Sequence, residues 1–106
     1  NSLPTAPGVR GAQVFYNGAE GSEALALAVQ DALNTAINDR PKEIKAAGQS
    51  IYLLCHTTKP AILVECGFLS NQQETELLKS PAYQTRLAIT ILLAVLGQLS
   101  ENSLVN

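Results

Sequence analysis

The sequence predicts an α/β fold: part of a mixed, mostly parallel sheet flanked by helices, with about three strands and three helices. Three observations support this class. Short runs of strand-forming residues alternate with longer segments in which apolar residues recur at helical spacing. Hydrophobic residues make up 46% of the chain and charged residues 15%, with no low-complexity tract, which is typical of a globular domain. The length, 106 residues, suits one domain or a piece of one.

The first half of the chain predicts one strand followed by one helix. Residues Gly11–Asn17 (GAQVFYN) combine strand-forming side chains with an Asn-Gly turn signal at their end. Apolar residues then recur every four positions, which predicts a helix over about residues 23–38, with Ser22 as its N-cap and its end before Pro41. The apolar stripe consists of Leu25, Val29, Leu33 and Ile37, widened by Ala28, Ala32 and Ala36.

Two further strands are predicted in the second half. Residues 40–50 form a polar connection, after which Ser50–Cys55 (SIYLLC) is interpreted as a mostly buried strand. A turn-like segment separates it from a third strand, Ala61–Cys66. Because Ala61–Val64 is an unbroken and partly β-branched apolar run, we expect this strand to be covered on both faces.

Two more helices follow the third strand. Ser70 or Asn71 supplies a side-chain oxygen for the start of the first of them. Ser80 as N-cap and Pro81 at the first helical position open a last helix that runs to about Leu99.

The last predicted helix is apolar on more than one side, so we expect it to be covered by more than the strands and helices of this chain. Its longest apolar stretch, of about 13 residues, is shorter than the ~20 that span a bilayer, and we predict no transmembrane segment. One stripe consists of Tyr83, Leu87, Ile91, Val95 and Leu99, and further apolar positions are Ala88, Ile89, Leu92, Leu93 and Leu96.

Charge and cysteine content exclude some classes of function. The formal net charge is -2, and the seven Lys and Arg residues are scattered rather than arranged in a basic stripe, which argues against nucleic acid as a partner. Cys55 and Cys66 are too few for a disulfide scaffold and lack the spacing of a zinc or redox motif. They do not indicate a compartment.

Glu65 is the residue that most needs an explanation. It stands at the end of the third predicted strand and shares a face with Ala61 and Leu63, while Gly67 follows as a point where the chain can turn sharply. The carboxyl ends of strands in open α/β sheets are where ligands bind, so Glu65 is a candidate site residue. The alternative is a structural carboxylate, paired with a cation or accepting backbone hydrogens at a helix start.

His56 and the two cysteines suggest other kinds of site, which the predicted strands disfavour. In a strand, adjacent Cys55 and His56 point to opposite faces and cannot form a nucleophilic pair. A metal site of Cys55, His56, Glu65 and Cys66 fails on the same alternation. We therefore interpret the cysteines as small core residues.

The segment PAILVECGFLSNQQETELLKSPAYQTRLA, with GAQVFYNG upstream, resembles the closing half of the zinc-dependent N-acetylmuramoyl-L-alanine amidases of the Amidase_3 family. The pattern is a Pro-Ala strand, Val-Glu-x-Gly-Phe-Leu-Ser-Asn, and a helix with Glu and Leu-Leu before a Tyr-Gln segment. The resemblance covers essentially the whole chain, and NSLPTAPGVRGAQVFYNG is most similar to spore-cortex, germination-type members.

The resemblance implies a six-stranded α/β domain that cleaves the amide between N-acetylmuramic acid and the L-alanine of the stem peptide. It implies a zinc ion held by two His and one Glu, with the carboxylate at the position of Glu65 acting beside the metal in catalysis. It also implies peptidoglycan as the substrate and an extracytoplasmic location in the cell wall or spore cortex. It indicates no substrate-binding residues.

The family's zinc ligands lie in an Asp-x-Gly-His-Gly segment, a later Glu and a Ser-Ile-His-x-Asn segment, none of which is in this sequence. Asn1 is similar to the last residue of that final segment, so the Zn²⁺ ligands are expected upstream of Asn1. Residues 1–106 are then the C-terminal portion of one catalytic domain, inactive without its N-terminal portion.

Two alternatives to an enzyme stay open on the sequence. The chain could be a catalytically incomplete fragment that binds murein or an amidase partner through exposed apolar surface. It could also be an unrelated α/β binding module in which Glu65 has only a structural role.

Overall fold

A computed structural model describes residues 11–49, 51–67 and 72–105, with backbone only for 72–74 and 102–105. Within these ranges the chain forms a three-stranded sheet and four helices. The sheet order is β2-β1-β3, with β1 parallel to β2 and antiparallel to β3, which confirms the predicted mixed α/β class. In chain order the elements are β1 (Gln13–Tyr16), α1 (Ser22–Ala36), β2 (Lys45–Ala46), α2 (Tyr52–His56), β3 (Ile62–Glu65), α3 (Gln72–Leu78) and α4 (Pro81–Val105).

The predicted first strand and first helix are both present as β1 and α1, but the predicted N-cap is wrong. Ser22 is the first helical residue, and Gly21 takes the N-cap position in a left-handed conformation, with φ 92°, which glycine adopts without steric cost. The Ser22 hydroxyl donates instead to the side chain of Asn17, so it ties the helix start to the end of β1. The helix ends at Ala36, where the Ile37 N–H donates to the Leu33 carbonyl at 2.9 Å.

The predicted strand Ser50–Cys55 is wrong, since residues 52–56 form the short helix α2. An apolar run of this length fits a strand or a helix equally well by periodicity alone. Only Leu54 of α2 is buried, while Leu53 is 78% exposed. The strand that pairs in parallel with β1 is Lys45–Ala46, two exposed residues within the segment predicted as a polar connection. This part of the sheet is defined by pairing with Phe15 and Tyr16 and not by an apolar pattern.

The third predicted strand and the helices after it are confirmed as β3, α3 and α4. The Ser80 hydroxyl accepts from the Tyr83 N–H at 3.3 Å, which is the N-cap predicted before Pro81. The helix runs beyond its predicted end at Leu99 to Val105. The alternative caps Ser70 and Asn71 lie outside the described residues.

The core lies between one face of the sheet and the helices α1 and α4. On the sheet side, Ala12 and Val14 are fully buried, and Ile62, Val64 and Cys66 pack against the buried cluster to which they belong. From α4, the predicted stripe packs at Tyr83, Leu87, Ile91 and Val95. The alternate positions of β3 face away from this core, and Leu63 among them is 39% exposed. The expectation that β3 is covered on both faces is therefore wrong for the described residues.

Much of the described surface of α4 is exposed. This agrees with the prediction that the helix is apolar on more sides than the strands and helices of this chain can cover. The segment Pro81–Glu101 is also long and apolar enough to cross a membrane, judged by its length and composition alone. In this structure one side of α4 packs on the core. The absence of a transmembrane segment therefore stays a prediction. Large apolar side chains exposed on α4 are Ile89, Leu92, Leu93, Leu96 and Leu99.

Candidate active site

Glu65 ends β3 and lies directly opposite Gln13, the first residue of β1. Because β3 runs antiparallel to β1, its carboxyl end adjoins the start of β1 and not the end where β1 and β2 finish. Glu65 shares the alternation of Leu63, so it faces away from the core between the sheet and the helices, and it is only partly buried. A carboxylate at this position is compatible with a strand because the described residues leave that face partly open.

The start of β1, beside Glu65, is held by the carboxamide of Gln30 on α1. The Val14 N–H donates to Gln30 Oε1 at 2.8 Å, and Gln30 Nε2 donates to the Ala12 carbonyl at 3.1 Å. Gln13 Nε2 also donates to Gln30 Oε1 at 3.4 Å and to the carbonyl of Glu43. Three polar groups at the start of β1, the Ala12 carbonyl, the Gln13 amide and the Val14 N–H, are thus satisfied by side-chain and loop partners rather than by another strand.

The start of β3 is held by a second buried amide, Asn17. Its Nδ2 donates to the carbonyls of Thr57 and Lys59 at 3.0 and 2.8 Å, and its Oδ1 accepts from the Ala61 N–H at 3.3 Å. The Ala61 N–H also lies 3.2 Å from Ser22 Oγ. The strand that carries Glu65 is therefore fixed at its start by Asn17 and Ser22 and paired at its end with Gln13.

His56 and the cysteines do not gather around Glu65 in the described part of the chain. His56 is exposed on α2, where Nδ1 lies 2.9 Å from the Tyr52 carbonyl and its ring stacks on Tyr52 at 3.9 Å between centroids. Cys55 is an exposed thiol that donates to the Gly48 carbonyl at 3.0 Å, so its interpretation as a core residue is wrong. Cys66 is half-buried and packs against the core, as predicted.

No group of three His, Cys, Asp or Glu side chains that could hold a metal ion occurs among the described residues. The chain has a single histidine, His56, which is engaged with Tyr52. The described residues thus offer Glu65 as a candidate catalytic carboxylate but do not by themselves fit a catalytic zinc ion, which needs three protein ligands.

A cleft of about 480 Å³ lies at the other end of the sheet from Glu65. Gly18 and Ala47, which follow the ends of β1 and β2, line it together with Cys55. Its position matches the rule that ligands bind at the carboxyl ends of parallel strands, whereas Glu65 stands at the opposite end because its strand is antiparallel.

Sequence reasoning did not identify Gln13, Asn17 or Gln30 as important for the site. A signal for Gln30 was present, since it falls at helical spacing from Ala26 and Leu33, both of which are buried. A polar residue on the buried face of a helix is informative because it needs hydrogen-bond partners in the core. The sequence around Asn17 predicts only a turn, through the Asn-Gly pair.

The model of the Amidase_3 family, described as N-acetylmuramoyl-L-alanine amidase, matches residues 1–96. The chain belongs to this family. It is 40% identical over 93 residues to the germination-specific N-acetylmuramoyl-L-alanine amidase of Bacillus subtilis, a match over 86% of this chain and 38% of that protein. The expected family resemblance is thereby confirmed.

Solved amidases share the fold as well as the sequence. The CwlD amidase of Clostridioides difficile, solved in complex with the GerS lipoprotein, superposes with a TM-score of 0.83 and 32% identity, over 94% of this chain and 51% of that one. An N-acetylmuramoyl-L-alanine amidase of Nostoc punctiforme gives 0.80 and 28%, over 94% and 54%. The chain thus spans about half the length of these solved relatives.

Proposed function

We propose that these residues form part of a peptidoglycan amidase that hydrolyses the bond between N-acetylmuramic acid and the L-alanine of the stem peptide, with Glu65 as its catalytic carboxylate. The observation that carries the proposal is the position of Glu65 within the family match, at the end of a strand fixed at both ends and on the open face of the sheet. Strand ends hold such a group more rigidly than loops do.

In this proposal Glu65 moves one proton in each direction. A carboxylate oxygen of Glu65 accepts a proton from the water whose oxygen attacks the lactyl carbonyl carbon. As the carbon–nitrogen bond breaks, the Glu65 carboxyl gives that proton to the leaving nitrogen. The products are the free lactyl carboxyl of N-acetylmuramic acid and a stem peptide with a free L-alanine amino terminus.

The proposal includes a zinc ion, with ligands from residues other than those described here. Bound zinc would polarise the scissile carbonyl and activate the attacking water. An extracytoplasmic site of action, in the cell wall or spore cortex, is part of the same proposal and is supported by the germination-specific relative.

The test of the reaction uses the complete amidase domain that contains these residues and a peptidoglycan fragment with an intact N-acetylmuramoyl-L-alanine bond. Mass spectrometry should detect two products whose summed mass exceeds that of the substrate by one water. The new amino terminus should be on L-alanine. Zinc content of the same preparation should be one per domain. Cleavage at another bond, or intact fragments with zinc bound, would contradict the proposal.

A second candidate function is partner binding through the exposed side of α4. Five large apolar side chains are exposed on the described part of that helix, and contiguous exposed apolar surface marks interaction sites. In this candidate the chain binds murein or an amidase partner without catalysing hydrolysis. The solved relative in complex with a lipoprotein supports a protein partner over murein as its ligand. This second candidate predicts that the protein binds its partner and that mass spectrometry detects no product of amide cleavage.

A further inference from the structure

We propose that Gln30 is a positioning residue for Glu65, because its carboxamide holds the start of β1 and, through it, the end of β3. The inference rests on the proposed function, since it gives Gln30 a part in the reaction assigned to Glu65. Gln30 lies in the middle of α1 and is 2% exposed, so its carboxamide is committed to partners inside the protein.

The carboxamide of Gln30 takes the place of a neighbouring strand along the first half of β1. Among the described residues, β2 pairs with β1 only at Phe15 and Tyr16. Ahead of these, the N–H of Val14 and the carbonyl of Ala12 point to the same side of β1, and Gln30 bonds both, at 2.8 and 3.1 Å. One side chain thus accepts and donates as a paired strand would.

Two asparagines one and two turns further along make this arrangement rigid. Gln30 Nε2 donates to Asn34 Oδ1 at 3.1 Å, and Asn38 Nδ2 donates to the same oxygen at 2.8 Å. The Asn38 amide in turn bonds both the N–H and the carbonyl of Ala12, at 2.7 and 3.0 Å. The carboxamide of Gln30 is therefore fixed by α1 on one side and by β1 on the other.

The connection to Glu65 is the last pair of the β1–β3 ladder. Gln13, which lies between the two β1 residues that Gln30 holds, is directly opposite Glu65. If Gln30 no longer holds Val14, and Ala12 is left to Asn38 alone, this terminal pair is the first part of the ladder to open. Small displacements of a catalytic group lower the rate strongly, so the effect should fall on turnover more than on substrate binding.

Two substitutions in the complete amidase test the proposal. Gln30→Leu keeps the size but removes all four side-chain hydrogen bonds of Gln30, including the two to the backbone of β1 and Ala12. We expect kcat to fall at least ~10-fold while KM stays within ~2-fold. Gln30→Glu should give a pH-dependent result. A protonated carboxyl at position 30 can accept from Val14 and donate to Ala12, whereas an ionised one cannot donate. Its kcat relative to wild type should therefore fall as pH rises.

Val29→Ala is the matched control, because Val29 is buried on the same helix but has no polar side-chain atom to bond β1. It should lower the stability of the domain while kcat, measured well below the unfolding temperature, stays within ~2-fold. The proposal is overturned if Gln30→Leu keeps kcat within ~2-fold, or if Val29→Ala lowers kcat equally.

Hydrogen exchange separates failure of this inference from failure of the proposed function. In Gln30→Leu the backbone amides of Gln13 and Glu65 should exchange at least ~10-fold faster than in Val29→Ala. Equal rates in the two variants would overturn the positioning role whatever the kinetics. If instead Glu65→Gln retains full activity while the exchange result holds, Gln30 positions Glu65 as inferred, and it is the catalytic assignment of Glu65 that fails.

Discussion

The two long helices, α1 and α4, differ in how much of their apolar surface this chain covers. Leu33 on α1 is fully buried, as are Ala26 and Val29. Within residues 81–101 of α4, whose side chains the structure describes, only Leu87 is buried, and Leu93 is 63% exposed. The helix α1 has an apolar face and a polar face, whereas α4 is apolar around most of its circumference.

The difference shows that the described residues cover the apolar face of α1, whereas they leave much of the apolar surface of α4 exposed. The buried side-chain amides lie on the side of β1 and α1. Gln30 on α1 bonds the backbone of Ala12 and Val14, and Asn17 after β1 bonds the Thr57 carbonyl. The chain spans about half the length of each of these solved relatives. Predictions that compare the two regions can test this division.

The largest difference should come from truncating one leucine in each helix. Leu33→Ala leaves a cavity in the core and should lower the free energy of unfolding by about 2–5 kcal/mol. Leu93→Ala should change it by less than about 0.5 kcal/mol in the 106-residue chain. Urea unfolding of both variants measures this. Equal losses would mean that α4 is covered within the chain.

A smaller difference is expected for polar side chains. Asn17→Ala leaves the carbonyls of Thr57 and Lys59 without their donor and should lower the free energy of unfolding by about 1–3 kcal/mol. The control on α4 is Thr90→Ala, which removes only a bond to the Arg86 carbonyl along the same helix, and should stay within about 0.5 kcal/mol. A loss at Thr90 as large as that at Asn17 would contradict the contrast.

The smallest effects should come from two glycines, and they should have opposite signs. Gly11 has φ 107°, and an added Cβ would lie 2.9 Å from Asn38 Oδ1, so Gly11→Ala should destabilise by about 1–2 kcal/mol. Gly97 lies within α4, and a Cβ added there would meet no side chain or other element within 4 Å. Gly97→Ala should therefore stabilise by about 0.5–1 kcal/mol through helix propensity. Thermal unfolding would show the two shifts, and a stabilising Gly11→Ala would contradict the close packing of Asn38 on β1.

A helix or strand could be predicted from the sequence only where its signal lies within its own residues. The helical spacing of Leu25 to Ile37 and the Ser80-Pro81 start gave α1 and α4 because these signals are local. The strand Lys45–Ala46 could not be predicted, since two exposed residues carry no pattern and only pairing with β1 makes them a strand. The helix α2 was mistaken for a strand because a short apolar run fits both.

The candidate site divides in the same way. Glu65 was found because a carboxylate at the end of an apolar run is conspicuous, and the family motif then gave it a role. Gln30 was not found, because its importance depends on contacts with Ala12 and Val14, which are 18 and 16 positions away in the sequence. Partners brought together by the fold leave no mark on a short stretch of sequence.

The measurement that tests the central claim most directly is the turnover of Glu65→Gln in the complete amidase domain on a peptidoglycan fragment. We expect kcat to fall by about 10²–10⁴-fold, because the amide cannot take a proton from water. Unfolding temperature and zinc content should stay unchanged, and Glu101→Gln, which changes an exposed carboxylate near the end of α4, should keep full activity. If Glu65→Gln turns over as fast as wild type, Glu65 is a structural carboxylate and the proposed catalytic role is wrong.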